Sequence, residues 1–525
     1  MQRTALNFKA VSRWLSDEGL TKKAYLNAIS AALDYGARLV VGLVINPLMV
    51  VGLGDYMYGV LQILGRLILY LSAASGRPTQ ALKWTIANQQ ASIDYDKKRR
   101  NVGGAIAVWL LFLPILAALG IFLVWIAPSW LNAPPVLSPI VRLAAGVMVV
   151  DLILTSLADV PQSVLQGQNL GYKRMGISTM LVFVAGGGFT AIALYFKTGL
   201  VGVVAADLGY TLCAGAFFLH VVRKYVPWFQ VARPSAPELR QFLGLSWWFF
   251  IWRLVMQLMM SSDIIVLGRL ISVEQVTTYT LTKYIPETLI SLVAIVVTGI
   301  TPGLGGLIGS GNVQKALRVR NEIMSGTWLI ATVVGATILL WNRDFVHLWV
   351  GKEHYSGDIP TLMIMLMITQ FVLIRNDANI IDLSLNLRHK VLIGALSATL
   401  SIVFSAVLVG FFELGITGLC LGFIAGRSIL SLGYPWLIGR FLGVRLSAQL
   451  KSVPRPAIIT LLLFALALGA SKVLSANTWA GLTLSVAVTV IVMSFLAFYS
   501  GLSNAQRKHI LQRVRVVVRP AASDR

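Results

Sequence analysis

The chain has 525 residues, 57% of them hydrophobic and only 12% charged, with a formal net charge of +23. That balance excludes an ordinary soluble domain, because apolar runs of about 20 residues, enough to cross roughly 30 Å of hydrocarbon, recur from end to end. The excess charge would suit nucleic acid, but its placement along the chain argues against that partner.

Residues 1–23 are polar and basic and lack the short apolar core of a cleaved signal peptide. Within them FKAVSRWL (8–15) sets Phe8, Val11 and Leu15 on one helical face, which reads equally as a helix lying at the inner membrane surface or as a disordered cytoplasmic tail. Fourteen apolar spans follow, at 24–51, 55–75, 103–127, 138–163, 174–196, 199–223, 241–268, 272–300, 322–341, 360–384, 390–411, 415–439, 454–473 and 478–500. The pattern predicts an all-α polytopic membrane protein with about 14 transmembrane helices. With both termini cytoplasmic, the inner segments and the span ends adjoining them hold 32 of the 44 Lys and Arg, and the outer loops hold 5. This is the positive-inside pattern, so the basic excess reports topology and no nucleic acid is expected.

The outer loops are short, and the longest, 342–359, has no room for a folded domain. Inner connections at 75–101 and 222–241 are longer and basic, and the second carries Pro227, Pro234 and Pro237. It divides the chain into two similar halves. ARLV (37–40) returns as WRLV (252–255), Leu53-Gly54 as Leu267-Gly268, NLGYK (169–173) as NLRHK (386–390), and TGLVG (198–202) as LGITG (414–418), all at offsets of 214–217. Six spans per copy is an even number, so the copies are parallel repeats about the membrane normal, with a cleft expected between them. The expected domains are an N-lobe at 24–228, a linker at 229–240, a C-lobe at 241–440, two further spans at 454–500 and a basic cytoplasmic tail at 501–525.

Away from the span ends, seven cations lie within the spans: Arg38, Arg66, Arg142, Arg253, Lys283, Arg375 and Arg427. Each costs about 2.5–3.5 kcal/mol at the bilayer centre even on a lenient scale, so they are expected to face one another or water. At about 1.5 Å per residue, Arg38, Arg66, Arg253, Lys283 and Arg427 fall near the midplane. Asp34 with Arg38, and Lys283 with Glu287, are four residues apart and can meet on a helix face. Arg66, Arg253 and Arg427 have no acid within a turn. One reading makes these arginines struts to distant acids such as Asp151 or Asp207. The other makes them a phosphate handhold, since a guanidinium offers two parallel charge-assisted hydrogen bonds and does not deprotonate. Pro47 and Pro286 allow their helices to bend.

No catalytic set stands out. His347, Glu353 and His354 share a short loop, and GLGGLIGSG (303–311) follows a membrane helix and lacks the lysine of a phosphate loop. Cys213 and Cys420 sit inside apolar runs and make neither a disulfide framework nor a metal site. No metal and no cofactor is expected.

LGDYMYGVLQ (53–62), LGRLISVEQVTTYTLTKY (267–284), FVHLWVGKEHY (345–355), NLRHK and LGITG, set in two six-span lobes, resemble the multidrug/oligosaccharidyl-lipid/polysaccharide (MOP) flippase superfamily. More narrowly they resemble its bacterial O-antigen and exopolysaccharide flippases. The resemblance covers about residues 24–440, with 454–500 similar to the family's last two spans. It implies a non-enzymatic protein of the bacterial inner membrane that moves a lipid-linked phosphate- or diphosphate-bearing oligosaccharide outward by alternating access. Membrane lipid, a polysaccharide polymerase and export machinery are its expected partners. The head group would be received by Arg38, Arg66 and Arg253, with Arg427 and Lys283 as further candidates. Asp34, Asp151, Asp263 and Glu287 are candidates for ion coupling or structure. Outward movement of an anion is favoured by an inside-negative potential, by about 2.3 kcal/mol per charge per 100 mV. Rival readings are a lipid II flippase, a multidrug/cation antiporter of the same superfamily, and a membrane-embedded polysaccharide polymerase.

Overall fold

The computed structural model describes residues 20–73, 78–89, 92–174, 176–309, 312–382, 387–504 and 506–507. The expected interfacial helix at 8–15 and most of the basic tail lie outside the described residues. Among those described there is no strand. A chain immersed in hydrocarbon must satisfy its backbone within each segment, and a helix does this residue by residue.

The long helices are α1 (Leu20–Ala73), α2 (Pro78–Asn88), α3 (Tyr95–Trp130), α4 (Ser138–Gly167), α5 (Ile177–Tyr195), α6 (Gly199–Tyr225) and α7 (Ala236–Leu270). They continue with α8 (Val273–Gly309), α9 (Val313–Trp349), α10 (Asp358–Asp382), α11 (Leu387–Gly410), α12 (Gly415–Leu442), α13 (Pro454–Ala470) and α14 (Trp479–Leu496). Among the described residues, 11 helices are long and apolar enough to cross a membrane. The expected number was about 14. Part of the difference is α1, which contains the first two expected spans and is interrupted at Gly54 (φ 76°, ψ 163°), a conformation reserved for glycine. The amphipathic α2 falls in what was read as a loop.

The chain divides into two compact units, Met1–Gln257 and Leu258–Arg525. In the first, α4 lies along α6, with Gly215 so close to Ala158 that a Cβ there would come within 2.8 Å of the alanine methyl. Helix α2 packs on α3 and α4 through Leu82, Ile86, Val102, Val164 and Leu165, a core that also takes in Val222 and Trp228. Across Val182–Gly188 the helix α5 widens into a π turn, and Gly187 faces Val41 of α1.

The proline-bearing connection after α6 is strapped to the start of α3. Arg99 Nε donates to the Trp228 carbonyl (3.1 Å), and the Ala232 amide donates to the Arg99 carbonyl (3.2 Å). Gly103 lets this strand of chain approach, since a Cβ would overlap the Ala232 carbonyl. Glu238, in the first turn of α7, accepts from the Ser235 amide (2.8 Å) in the manner of a capping box and from Arg100 Nε (2.9 Å). The Ser235 amide, followed by Arg100, holds the Glu238 carboxyl down to about 2.

In the second unit, α11 and α12 meet across a row of small residues. Gly422 and Gly426 face Ser405 and Ser401, and a Cβ at either glycine would overlap serine backbone. The closeness allows Ser397 Oγ to donate to the Gly426 carbonyl (3.0 Å) and Ser405 Oγ to the Leu419 carbonyl (2.9 Å). Helix α9 anchors both C-terminal helices. Thr332 bonds Thr460 of α13 (2.6 Å), and Trp341 Nε1 donates to Thr489 of α14 (2.9 Å).

Candidate functional site

Residues from α7, α8 and α12 build a compact charged cluster in the second unit. Lys283 Nζ lies 2.5 Å from Asp263 Oδ2 and 2.8 Å from Glu287 Oε1. The Tyr279 hydroxyl donates to the same Asp263 oxygen (2.7 Å). The i, i+4 spacing of Lys283 and Glu287 thus yields the contact it suggests, and Asp263, sixteen positions before Tyr279, joins only through packing. Arg427 donates to the Met259 carbonyl and stacks on Phe371 and Phe423, with its carbon 5.1 and 5.0 Å from the ring centres. Asp263, Lys283, Glu287 and Arg427 line one cavity of about 20 Å³, room for a water but not for a phosphate head. Two acids and two bases make the cluster formally neutral. In this conformation Lys283 and Arg427 are engaged by the protein itself, although among the described residues the atoms Asp263 Oδ1 and Arg427 Nε are buried without a hydrogen-bond partner.

The first unit holds the other arrangement. Asp34 pairs with Arg174 (3.2 Å) and accepts from Ser178 (2.9 Å) and Thr179 (3.2 Å). The Asp34–Arg38 contact that the spacing allows is therefore not the one made. Arg174 enters because the chain before α5 folds back against α1, a long-range closure with no local signal. Arg38 points the other way, is exposed, and donates through Nη2 to the Tyr210 hydroxyl (3.3 Å). No ion pair to it occurs among the described residues. Arg66 is half-buried on the same helix and has protein contacts of its own. Arg253 lies on α7, and its side chain falls outside the described residues.

Asp151 lies beside Thr155 and Thr211, whose hydroxyls are 3.3 Å apart, and is close enough to Asp207 for their charges to interact. Neither acid forms an ion pair among the described residues. The strut reading, in which these acids would neutralise midplane arginines, gains no pair from this geometry. Asp207 is the partner that sequence reasoning left out of the coupling candidates. Its signal in the sequence is modest: both acids sit inside spans, and only the packing of α4 on α6 brings them together.

A second buried pair has no signal in the sequence spacing. Arg320 Nε and Nη2 grip Asp377 Oδ1 (3.0 Å) and Oδ2 (2.9 Å), both residues being buried. By hydropathy the ninth span begins at 322 and leaves Arg320 outside it, whereas α9 begins at Val313. His347, expected in the outer loop, lies instead in the last turn of α9 with its ring 5.8 Å from that of Tyr355, and only His354 belongs to the loop. His354 Nδ1 lies 2.9 Å from the Val350 carbonyl, and the Ser356 amide donates to Thr282 of α8. Among the described residues no group of three or more His, Cys, Asp or Glu is placed to hold a metal ion.

Residues 96–304 match a family described as polysaccharide biosynthesis protein. The structure is similar to an inward-facing multidrug resistance transporter of the MOP superfamily, with a TM-score of 0.63 at 16% identity over 79% of this chain and 96% of the other. It is also similar to the lipid II flippase MurJ in an inward closed conformation, with a TM-score of 0.66 at 11% identity over 90% of this chain and 99% of that one. The fold is that of the MOP flippase superfamily. A third MOP structure, a transporter from Pyrococcus furiosus whose binding pocket is described as reversed in polarity, aligns with a TM-score of 0.57 at 15% identity over 81% and 97% of the two chains. No curated protein matches the chain by sequence. Within the MOP fold, this chain's charges thus sort into a neutral buried cluster in one unit, and an exposed arginine with a separate acid pair in the other.

Proposed function

We propose that this protein is a flippase that carries a lipid-linked oligosaccharide phosphate or diphosphate from the cytoplasmic to the outer leaflet by alternating access. It would serve surface polysaccharide or O-antigen synthesis in a bacterial inner membrane, with both termini cytoplasmic. The observation that carries this reading is Arg38. It is a permanent cation well inside a membrane helix, exposed, with its nearest acid in sequence already taken by Arg174. A guanidinium so placed costs free energy unless water or an anionic ligand meets it. Phosphate suits it because two oxygens can accept its parallel N–H groups. The polysaccharide biosynthesis match supports a glycan as the rest of the cargo.

In this reading Arg66 and Arg253 join Arg38 in receiving the head group. Lys283 and Arg427 contribute only in a state where their own cluster opens. Asp151 with Asp207 is the best placed pair for a coupling proton or cation, because no base neutralises either among the described residues. Asp34, Asp263 and Glu287 act structurally through their ion pairs. The protein does no covalent chemistry of its own.

The test is export in cells. Arg38→Ala, at normal membrane abundance, should cut surface polysaccharide and raise the precursor on the cytoplasmic face, and Arg38→Lys should restore part of the loss. Unchanged export with no precursor build-up would remove the handhold. A second reading, lipid II as cargo, has the MurJ similarity in its favour. Cell-wall precursor accumulating in place of the polysaccharide precursor would select it.

A further inference from the structure

A groove of about 930 Å³ opens along the side of the first unit, between the linker-side halves of α4 and α6. Its size lies within the roughly 300–1,000 Å³ typical of small-molecule sites. The floor is made of small side chains, Ala158, Gly215 and Ala216, where the two helices approach closely. Exposed leucines, Leu157 and Leu212, form the apolar banks. The far end is different in kind. It is closed by the start of the strapped connection, residues 226–231, and there Arg223 and Gln230 face the groove.

Arg223 stands in the last turn of α6, is exposed, and has no ion pair or hydrogen bond among the described residues. The acid at the end of the connection, Glu238, is held by Arg100 and Ser235, and Asp96 at the start of α3 is held by Arg99. The site therefore combines an apolar trough running along the membrane helices with one uncommitted guanidinium and an amide where the helices leave the bilayer. A water-soluble anion would find the charge but no use for the trough, and a neutral lipid the reverse.

We propose that this groove binds one anionic phospholipid, its acyl chains along α4 and α6 and its phosphate on Arg223 and Gln230. Because the connection forms the end wall, the bound lipid also holds that connection against the first unit, adding to the Arg99, Arg100 and Glu238 bonds. The site is separate from the residues proposed to receive the cargo, Arg38 and Arg66 on α1 and Arg253 on α7.

Native mass spectrometry of the detergent-purified full chain, incubated with phosphatidylglycerol or phosphatidylcholine, tests this. The wild type should retain phosphatidylglycerol preferentially, and Arg223→Gln should lower that retention about fivefold, as expected for one basic residue at a membrane surface. Ala216→Trp, which fills the trough and keeps the charge, should lower it as well. In nanodiscs, amide hydrogen exchange over residues 226–235 should slow with phosphatidylglycerol in the wild type and not in Arg223→Gln. Equal retention of the two lipids, or an Arg223→Gln protein that behaves as wild type in both assays, overturns the proposal. Loss of retention in Arg223→Gln but not in Ala216→Trp overturns the trough and leaves only a surface charge effect.

Discussion

Replacing Arg320 with Met should be among the most damaging single changes in the second unit, and replacing Asp377 at the same time should largely repair it. Both side chains are buried, at 5% and 2% exposure, and are joined by two parallel hydrogen bonds of 3.0 and 2.9 Å. Around them the wall is apolar, with Met324, Trp328, Leu373 and Leu430 lining the adjoining space. Breaking one side of such a pair strands a buried charge against a largely apolar wall, at a cost of about 3–5 kcal/mol. Removing both and filling the volume, as in Arg320→Met with Asp377→Leu, exchanges the Coulomb gain for the avoided desolvation. The double variant should therefore lie within ~1 kcal/mol of wild type, where additivity would place it at ~6 kcal/mol or more. Reversible unfolding in mixed micelles of the wild type, both single variants and the double variant measures this directly. If the single costs simply add in the double variant, the pair is not acting as a mutually compensating unit and the reasoning fails.

Gly422→Ala should destabilise α11 against α12, because the new methyl would lie 2.5 Å from Ser405 Oγ and overlap its backbone. Overpacking of about 1–3 kcal/mol outweighs the ~1 kcal/mol that alanine gains in helix propensity. Gly146→Ala, with nothing within 4 Å, should instead raise the unfolding temperature. Lys283→Ala should leave Asp263 and Glu287 facing each other and lower thermal stability, with Lys283→Ala/Asp263→Ala recovering part of the loss. Equal melting of the single and double variants would contradict the cluster. For Glu238 the folded value near 2 lies below the ordinary 4.5, so its contribution is complete above about pH 4.5 and is lost as pH falls through about 2. Exchange over 226–238, corrected for intrinsic rates, should show the strap loosening on acidification in that window. Glu238→Gln should already be loose at pH 7, and identical protection in the two proteins would count against the tether.

How much could be read without coordinates depended on the range of the interaction. Lys283 and Glu287 are one helical turn apart, and their pairing follows from that spacing alone. Asp34 and Arg38 share the same spacing, yet Arg174, 140 positions away, takes the acid and leaves Arg38 to Tyr210. The glycine at 54 could be seen at a span boundary, but its backbone angles could not. Arg320 was misplaced because a helix in water continues past the hydrophobic edge that marks a span.

Composition, apolar run length and the distribution of Lys and Arg determined by themselves that this chain is an all-helical membrane protein, and the motifs carried a resemblance to the MOP superfamily, whose fold it has. These are sums over many residues, and hydrocarbon enforces them whatever the packing. Only the tertiary structure decided which charges cancel: that Lys283 is caged by two carboxylates, that Asp151 neighbours Asp207, and that Arg38 stays exposed. Charge pairing inside a membrane protein depends on distances of 3–4 Å between helices far apart in sequence, and no periodicity along one helix encodes those.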